Sequence, residues 1–252
     1  MNPVVKQRAV TRTATRVLAP AGAVSDNVPT LTILRPTVHT HEPTDRARRV
    51  LNVAVAALAL VLVLPVLVIV ALLVMLTSKG PVLYTQTRVG INRRRVGSTD
   101  GRRRVDFGGR LFKIYKFRTM HVGADRRGEV WAKPDDPRVT PVGRVLRKFR
   151  LDELPQLFNV LKGDMNLVGP RPEQPKIFAN LRGQIDNYAE RQRVLPGITG
   201  LAQVRHHYDT TVDAVSKKLA FDLQYIDRCS VQEDLKVMLQ TVPVVIFQRG
   251  AW

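Results

Sequence analysis

The residues best placed to do chemistry lie in RLDELPQLFNVLKGDM, residues 150–165, where Asp152 and Glu153 stand side by side. Just before them run Arg144, Arg147, Lys148 and Arg150. An ionised aspartate can attack phosphorus, and a second carboxylate can hold the Mg²⁺ that a diphosphate substrate brings. On a helix the leucines at 151, 154, 157 and 161 would share a face, leaving Asp152 off it and accessible. A helix N-terminus and the nearby cations would keep that carboxylate ionised. Taken alone, an Asp-Glu pair in a basic stretch reads first as neutralisation on a solvated helix.

The cations supply the second half of a phosphate site. Lys116 and Arg118 alternate in YKFRTM, so on a strand they share one face. Arg147 precedes the acid pair by one helical turn and a half. Arg171 stands between two prolines in GPRPE, a stiff backbone that would aim its guanidinium fork at a phosphate. Each of these residues, taken singly, is also an ordinary solvated charge. No Walker loop, no GxGxxG after a strand and no Cys/His zinc spacing occurs, and the five histidines form no metal pattern.

These residues need elements to position them. GPVLYTQTRVG and RLFKIYKFRTM are rich in Val, Tyr, Phe, Ile and Thr and read as strands of a small sheet. Between them lies a basic loop, residues 91–109, with Gly-Ser-Asp-Gly turn chemistry. Pro155 is best tolerated in a first helical turn, which puts Asp152 and Glu153 at a helix N-terminus or on the turn leading into it, and Gly163 is a C-terminal stop. LVGPRPEQP and RVLPGITGLAQVRHH read as Pro/Gly loops, with His206 and His207 in loop. From about Thr211 to Phe247 the pattern is helical, ending in an apolar tail suited to a membrane interface or to the core.

From residue 53 to residue 76 the chain reads VAVAALALVLVLPVLVIVALLVML, with no charged or polar side chain. A straight helix of that length reaches ~36 Å, more than the ~30 Å hydrocarbon core of a bilayer. The run lies too far from the N-terminus and is too long for a signal-peptide core. Pro65, at its middle, predicts a kink. Both flanks are basic, so the positive-inside rule selects no orientation, and a hairpin with both ends on one side would look the same. Hydropathy alone favours a span. Residues 1–45 show no helical or strand period and are expected to be disordered.

The formal net charge is +19, from 40 Lys+Arg and 21 Asp+Glu, which favours anionic partners: phosphorylated small molecules, anionic membrane lipids or nucleic acid. No nucleic-acid-binding signature accompanies the charge, and aromatics are only 6%. The single cysteine, Cys229, permits no intrachain disulfide.

Five segments in order, SKGPVLYTQTRVG, LFKIYKFRTM, DPRVTPVGRVLRKFRLDELPQLFNVLKGDMNLVGPRPE, LPGITGLAQV and KLAFDLQYI, resemble the bacterial sugar transferase family, the monotopic polyprenyl-phosphate phosphoglycosyl transferases. The resemblance covers roughly residues 50 to 248. It implies a mixed α/β, membrane-associated fold: a re-entrant membrane helix at 46–78, broken at Pro65, and a cytoplasmic catalytic domain at 79–252 with amphipathic interfacial helices. It implies transfer of a sugar-1-phosphate from a UDP-sugar to undecaprenyl phosphate at the inner face of the bacterial cytoplasmic membrane, releasing UMP and starting an exopolysaccharide, capsule, O-antigen or other glycan. Asp152 would form a covalent phosphosugar intermediate and Glu153 would support Mg²⁺. Lys116, Arg147 and Arg171 would line the phosphate site, and Asp222 would be a further active-site acid. Self-association is compatible with this reading. Two departures stand out: Leu64 precedes the proline where the family often has Ser, and the 91–109 loop is longer than usual.

Overall fold

The computed structural model describes residues 43–92, 109–124, 136–205 and 212–247. The N-terminal tail, most of the basic loop and the His206–His207 pair lie outside the described residues. The chain opens with one long helix, α1 (Pro43–Thr77), followed by a hairpin of β1 (Leu83–Val89) and β2 (Leu111–Phe117). The helices α2 (Pro141–Lys148) and α3 (Gln156–Lys162) then flank a short 3-10 turn, Leu151–Glu153. Strand β3 (Asn166–Val168), α4 (Pro175–Gln184), a second 3-10 segment (Tyr188–Arg193) and β4 (Gly197–Thr199) follow. Three helices close the chain: α5 (Leu201–Arg205), α6 (Val212–Arg228) and α7 (Val231–Ile246).

The predicted hairpin is present, antiparallel, with Tyr84 opposite Lys116. Two stretches expected to be Pro/Gly loops instead contribute β3 and β4, which pair in parallel. Three-residue strands carry too little periodicity to stand out from their glycines and prolines. Their closeness depends on a glycine pair: a Cβ on Gly197 would collide with the backbone of Gly169, and one on Gly169 with Leu195 O. The single helical stretch read after residue 211 is two helices, with Ser230 capping α7 by accepting from Glu233 N at 3.2 Å.

Three clusters form the core. The largest joins Phe178, Leu181, Tyr188, Leu219, Leu223, Tyr225 and Val237 from α4, the 3-10 segment, α6 and α7. The other two lie under α1. Ala56 meets Phe112, Ile114, Leu157 and Val160, while Leu67, Val70 and Val74 meet Phe117 and Leu146. α1 is therefore applied to the domain along its length, through α2, α3, β2, β3 and α7. Between residues 50 and 76 its opposite face is exposed and apolar, including Leu58, Val61, Leu62, Leu64, Ile69 and Leu76. Among the described residues it is the one helix long and apolar enough to cross a membrane. Pro65 lies within this helix.

Candidate active site

Strand parity brings the first cation to the acids. Phe112 and Ile114 point into the core, so Lys116, two residues on, leaves β2 on the same face. Asn159 of α3, fully buried, holds the free edge of β2. Its side chain accepts from Tyr115 N at 3.0 Å and donates to Lys113 O at 2.7 Å, as a neighbouring strand would. Lys116 Nζ then donates to Glu153 Oε1 at 2.8 Å and stands 3.8 Å from Asp152 Oδ2.

The acid pair lies on the turn leading into α3, the second of the two expected placements. Arg150, in the left-handed conformation at φ 55°, turns the chain out of α2. The 3-10 turn then carries Asp152 and Glu153, and Pro155 starts α3, which Gly163 ends at φ 85°. α2 is fixed from the other side. Thr140 caps it by accepting from Gly143 N at 2.9 Å, and Gly143 lies so close to Thr119 that any Cβ would strike the Thr119 backbone. Across that contact Arg147 Nε donates to Thr119 Oγ1 at 2.9 Å.

Arg171 closes the site. Its guanidinium forks onto Glu153, Nη2 to Oε1 at 2.5 Å and Nη1 to Oε2 at 3.3 Å. Asp152 and Glu153 are 7% and 9% exposed, so the expectation of an accessible carboxylate is corrected: β2 and the 170–173 loop cover the turn. Burial pushes the Asp152 carboxyl up, with Glu153 adding to the rise, and Lys116 pulls it down only in part. For Glu153 burial acts in the same sense, yet Arg171 and Lys116 outweigh it and hold the carboxyl well below the usual range. One carboxylate is locked by two cations. The other, Asp152, accepts no hydrogen bond among the described residues.

Two residues expected at the site lie elsewhere. Arg118, one position past β2, donates from Nη2 to Ser78 O at 2.6 Å and Oγ at 2.7 Å, tying the end of α1 to the hairpin. Asp222, on α6, is buried and accepts from Arg191 Nε at 2.7 Å, and burial raises its carboxyl. Neither touches the acid pair. Sequence reasoning missed Arg191, which also donates to Tyr188 OH at 2.6 Å and to Arg171 O at 3.0 Å.

Comparison with known proteins defines the class. The bacterial sugar transferase family matches residues 44–248, and the chain belongs to that family. A UDP-glucose:undecaprenyl-phosphate glucose-1-phosphate transferase of Caulobacter vibrioides is 42% identical over 210 residues, covering 82% of this chain and 73% of the relative. A UDP-N-acetylgalactosamine-undecaprenyl-phosphate N-acetylgalactosaminephosphotransferase of Aeromonas hydrophila is 39% identical over 204 residues, 81% of this chain and 44% of its own. A UDP-glucose:undecaprenyl-phosphate glucose-1-phosphate transferase of Escherichia coli is 40% identical over 198 residues, 77% of this chain and 39% of its own. This chain thus spans most of the first relative and under half of the other two. It is an enzyme, a sugar transferase of the phosphoglycosyl transferase kind that these names describe.

Proposed function

We propose that the chain transfers a sugar-1-phosphate from a UDP-sugar to undecaprenyl phosphate, with Asp152 as the nucleophile. The observation that carries this reading is the inequality of the two acids: Glu153 is locked by Lys116 and Arg171, while Asp152 beside it keeps its lone pairs unused. An Asp152 oxygen attacks the sugar-bearing phosphorus. The bond from that phosphorus to the bridging oxygen breaks, and UMP leaves with the electron pair. An oxygen of the lipid phosphate then attacks the same phosphorus, the bond from that phosphorus to the Asp152 oxygen breaks, and the carboxylate returns. Lys116, Arg147 and Arg171 bring positive charge to the phosphates throughout. The undecaprenyl-diphospho-sugar formed would begin assembly of a surface glycan.

The acids suit Mg²⁺. The ion commonly takes one or two carboxylates and completes its shell with substrate phosphates and water, so no all-protein cage is required. Asp152 has both oxygens open, and Glu153 Oε2 carries only the Arg171 bond, which leaves it a lone pair. These two residues would hold the ion, which supplies charge neutralisation to a diphosphate when bound.

α1 enters and leaves on one face of the membrane in this reading, with the domain cytoplasmic. Support comes from both ends of the helix, tied to the same domain: Arg48 Nε to Asp234 Oδ2 at 3.1 Å and Ser78 to Arg118. Between them the outer face is bare apolar surface. On α7, Leu235, Leu239, Val242 and Ile246 continue an exposed apolar stripe suited to the interface. Single cysteines at Thr40 and Ala251, in a Cys229→Ser background, test this with an impermeant reagent on intact cells. Neither should label, and labelling of one alone means a span. For the chemistry, membranes carrying Asp152→Asn are given labelled UDP-sugar and undecaprenyl phosphate. UMP release at the wild-type rate would remove Asp152 as nucleophile.

A further inference from the structure

The Arg171 loop is held in an unusual way. In Pro170–Arg171–Pro172–Glu173 the two prolines have no N–H, so the loop has little to donate. Each of its four consecutive carbonyls instead accepts a bond, two of them from β1 and the others from two further parts of the chain. Gly197 N reaches Pro170 O at 3.0 Å, Arg191 Nη2 reaches Arg171 O at 3.0 Å, Arg88 Nη1 reaches Pro172 O at 3.0 Å, and Val89 N reaches Glu173 O at 2.9 Å. Two of the four donors are guanidinium groups. That choice is costly. Arg191 lies in the interior, with Asp222 and the Tyr188 hydroxyl as partners and the Tyr188 ring 5.0 Å below its guanidinium. Arg88, on β1, leaves its Nε buried without a partner and has Gln86 Oε1 on Nη2 at 2.7 Å. Apolar side chains would fill both places at less expense in stability. What the two arginines share is the loop: Arg191 ends on the carbonyl of Arg171 itself and Arg88 on the next one, that of Pro172.

We propose that Arg88 and Arg191 are positioning residues, which fix the 170–173 loop from behind so that Arg171 keeps its fork on Glu153, with Asp222 acting as the fixed base for Arg191. The inference rests on the phosphotransferase reading above. It also gives Asp222 a part in the site without contact to substrate. The chain of contacts runs from Asp222 on α6 to Arg191, to the Arg171 carbonyl, to the Arg171 guanidinium and to Glu153. Arg88 braces the next carbonyl from β1, the strand paired with the one that carries Lys116. The two cations that lock Glu153 are thus referred to one hairpin.

The test uses the full chain in detergent or nanodiscs. Arg191→Lys keeps the charge against Asp222 but loses the fork. Arg88→Met keeps the length and loses the donor. Each is made alone and in an Arg171→Lys background. Each single change should lower kcat for UMP release about a hundredfold, the cost of a displacement of about 1 Å in such a site. KM for the UDP-sugar should stay within about threefold. In the Arg171→Lys background the further loss should be under about twofold, because the residue through which they act is already impaired. Hydrogen exchange of peptides covering 169–176 should be about tenfold faster in both single variants, with β1 and β2 unchanged. Multiplicative losses in the double variants, or unchanged exchange in this loop, overturn the proposal. Exchange requires no substrate, so it judges the clamp even if the donor is not a UDP-sugar. The Asp152→Asn assay judges the nucleophile separately.

Discussion

Two clusters of buried charge in this molecule are built from similar parts and finished differently. At the root of α1, Arg48 and Asp234 are 4% and 0% exposed. Arg48 Nε meets Asp234 Oδ2 at 3.1 Å, Tyr225 OH reaches Asp234 Oδ1 at 2.6 Å, and Arg48 Nη2 reaches Tyr225 OH at 2.7 Å. Asn52 completes the group, accepting from Leu167 N at 2.6 Å and donating to Arg48 O at 2.7 Å. Every oxygen of the acid is partnered. At the 3-10 turn the ingredients are again buried acids beside cations, here with Lys116 and Arg171 more exposed than the acids, yet Asp152 accepts no hydrogen bond among the described residues. Burial of charge is common to both. What separates them is satisfaction: a closed network holds two elements together, whereas an acceptor left open keeps reactivity at a cost in stability.

The comparison breaks first on two aspartate-to-asparagine changes. Asp152→Asn should reduce UMP release at least about ten-thousandfold, the scale seen when a nucleophile is removed. Its thermal midpoint should hold or rise, because a carboxylate with no hydrogen bond leaves the vicinity of Glu153. Asp234→Asn should do the reverse. It leaves Arg48 buried against a neutral amide and should cost about 3–5 kcal/mol in denaturant unfolding. Turnover per folded molecule should stay within about twofold. If Asp234→Asn abolished turnover without loss of stability, the division between a fastening cluster and a reacting cluster would fail.

How much of this was legible follows from what sequence periodicity encodes. The hairpin, the Asp-Glu turn, the Gly163 stop and the apolar helix all announce themselves through alternation, spacing or run length. Lys116 was correctly placed on a strand face, and the structure joins it and Arg171 to the acids. Arg118 shares its parity, but the strand ends at Phe117, and parity carries no authority past a strand end. The parallel pairing of β3 and β4 is a contact between segments about thirty residues apart, set by a glycine–glycine approach that no local pattern displays. The burial of Asp152 was equally hidden, since solvent exclusion there comes from β2 and the Arg171 loop. Asp222 was singled out as an acid, but its partner Arg191 was invisible because side-chain pairing depends on the tertiary fold.

Smaller effects probe how each cluster is framed. Asn159→Ala removes two bonds from the free edge of β2 and leaves Tyr115 N and Lys113 O to find other partners. It should cost about 2–3 kcal/mol, on the basis of about 1–1.5 kcal/mol for each lost bond. It should also lower kcat about tenfold, because Lys116 sits on the released strand. Loss of stability with kcat unchanged would mean that the hairpin holds Lys116 without help from α3.

The smallest expected effect sharpens the comparison most. Arg150 is one of two non-glycine residues with positive φ among the described residues, and it sits directly before the acid pair. A left-handed conformation costs an ordinary residue about 1–2 kcal/mol, and glycine adopts it freely but loses about 0.5–1 kcal/mol more in chain entropy on folding. Arg150→Gly should therefore gain about 0.5 kcal/mol in stability, read as a small rise in the denaturant midpoint with an unchanged slope. The Glu153 N to Arg150 O bond at 3.2 Å belongs to the backbone and survives the change. If the turn alone matters, activity stays at the wild-type level as stability rises. A fall in activity beside that rise would show that the Arg150 side chain, and not only its backbone, serves the site. The reacting cluster would then hold strain as well as an open carboxylate, and the closed cluster at the root of α1, where no residue has positive φ, would hold neither.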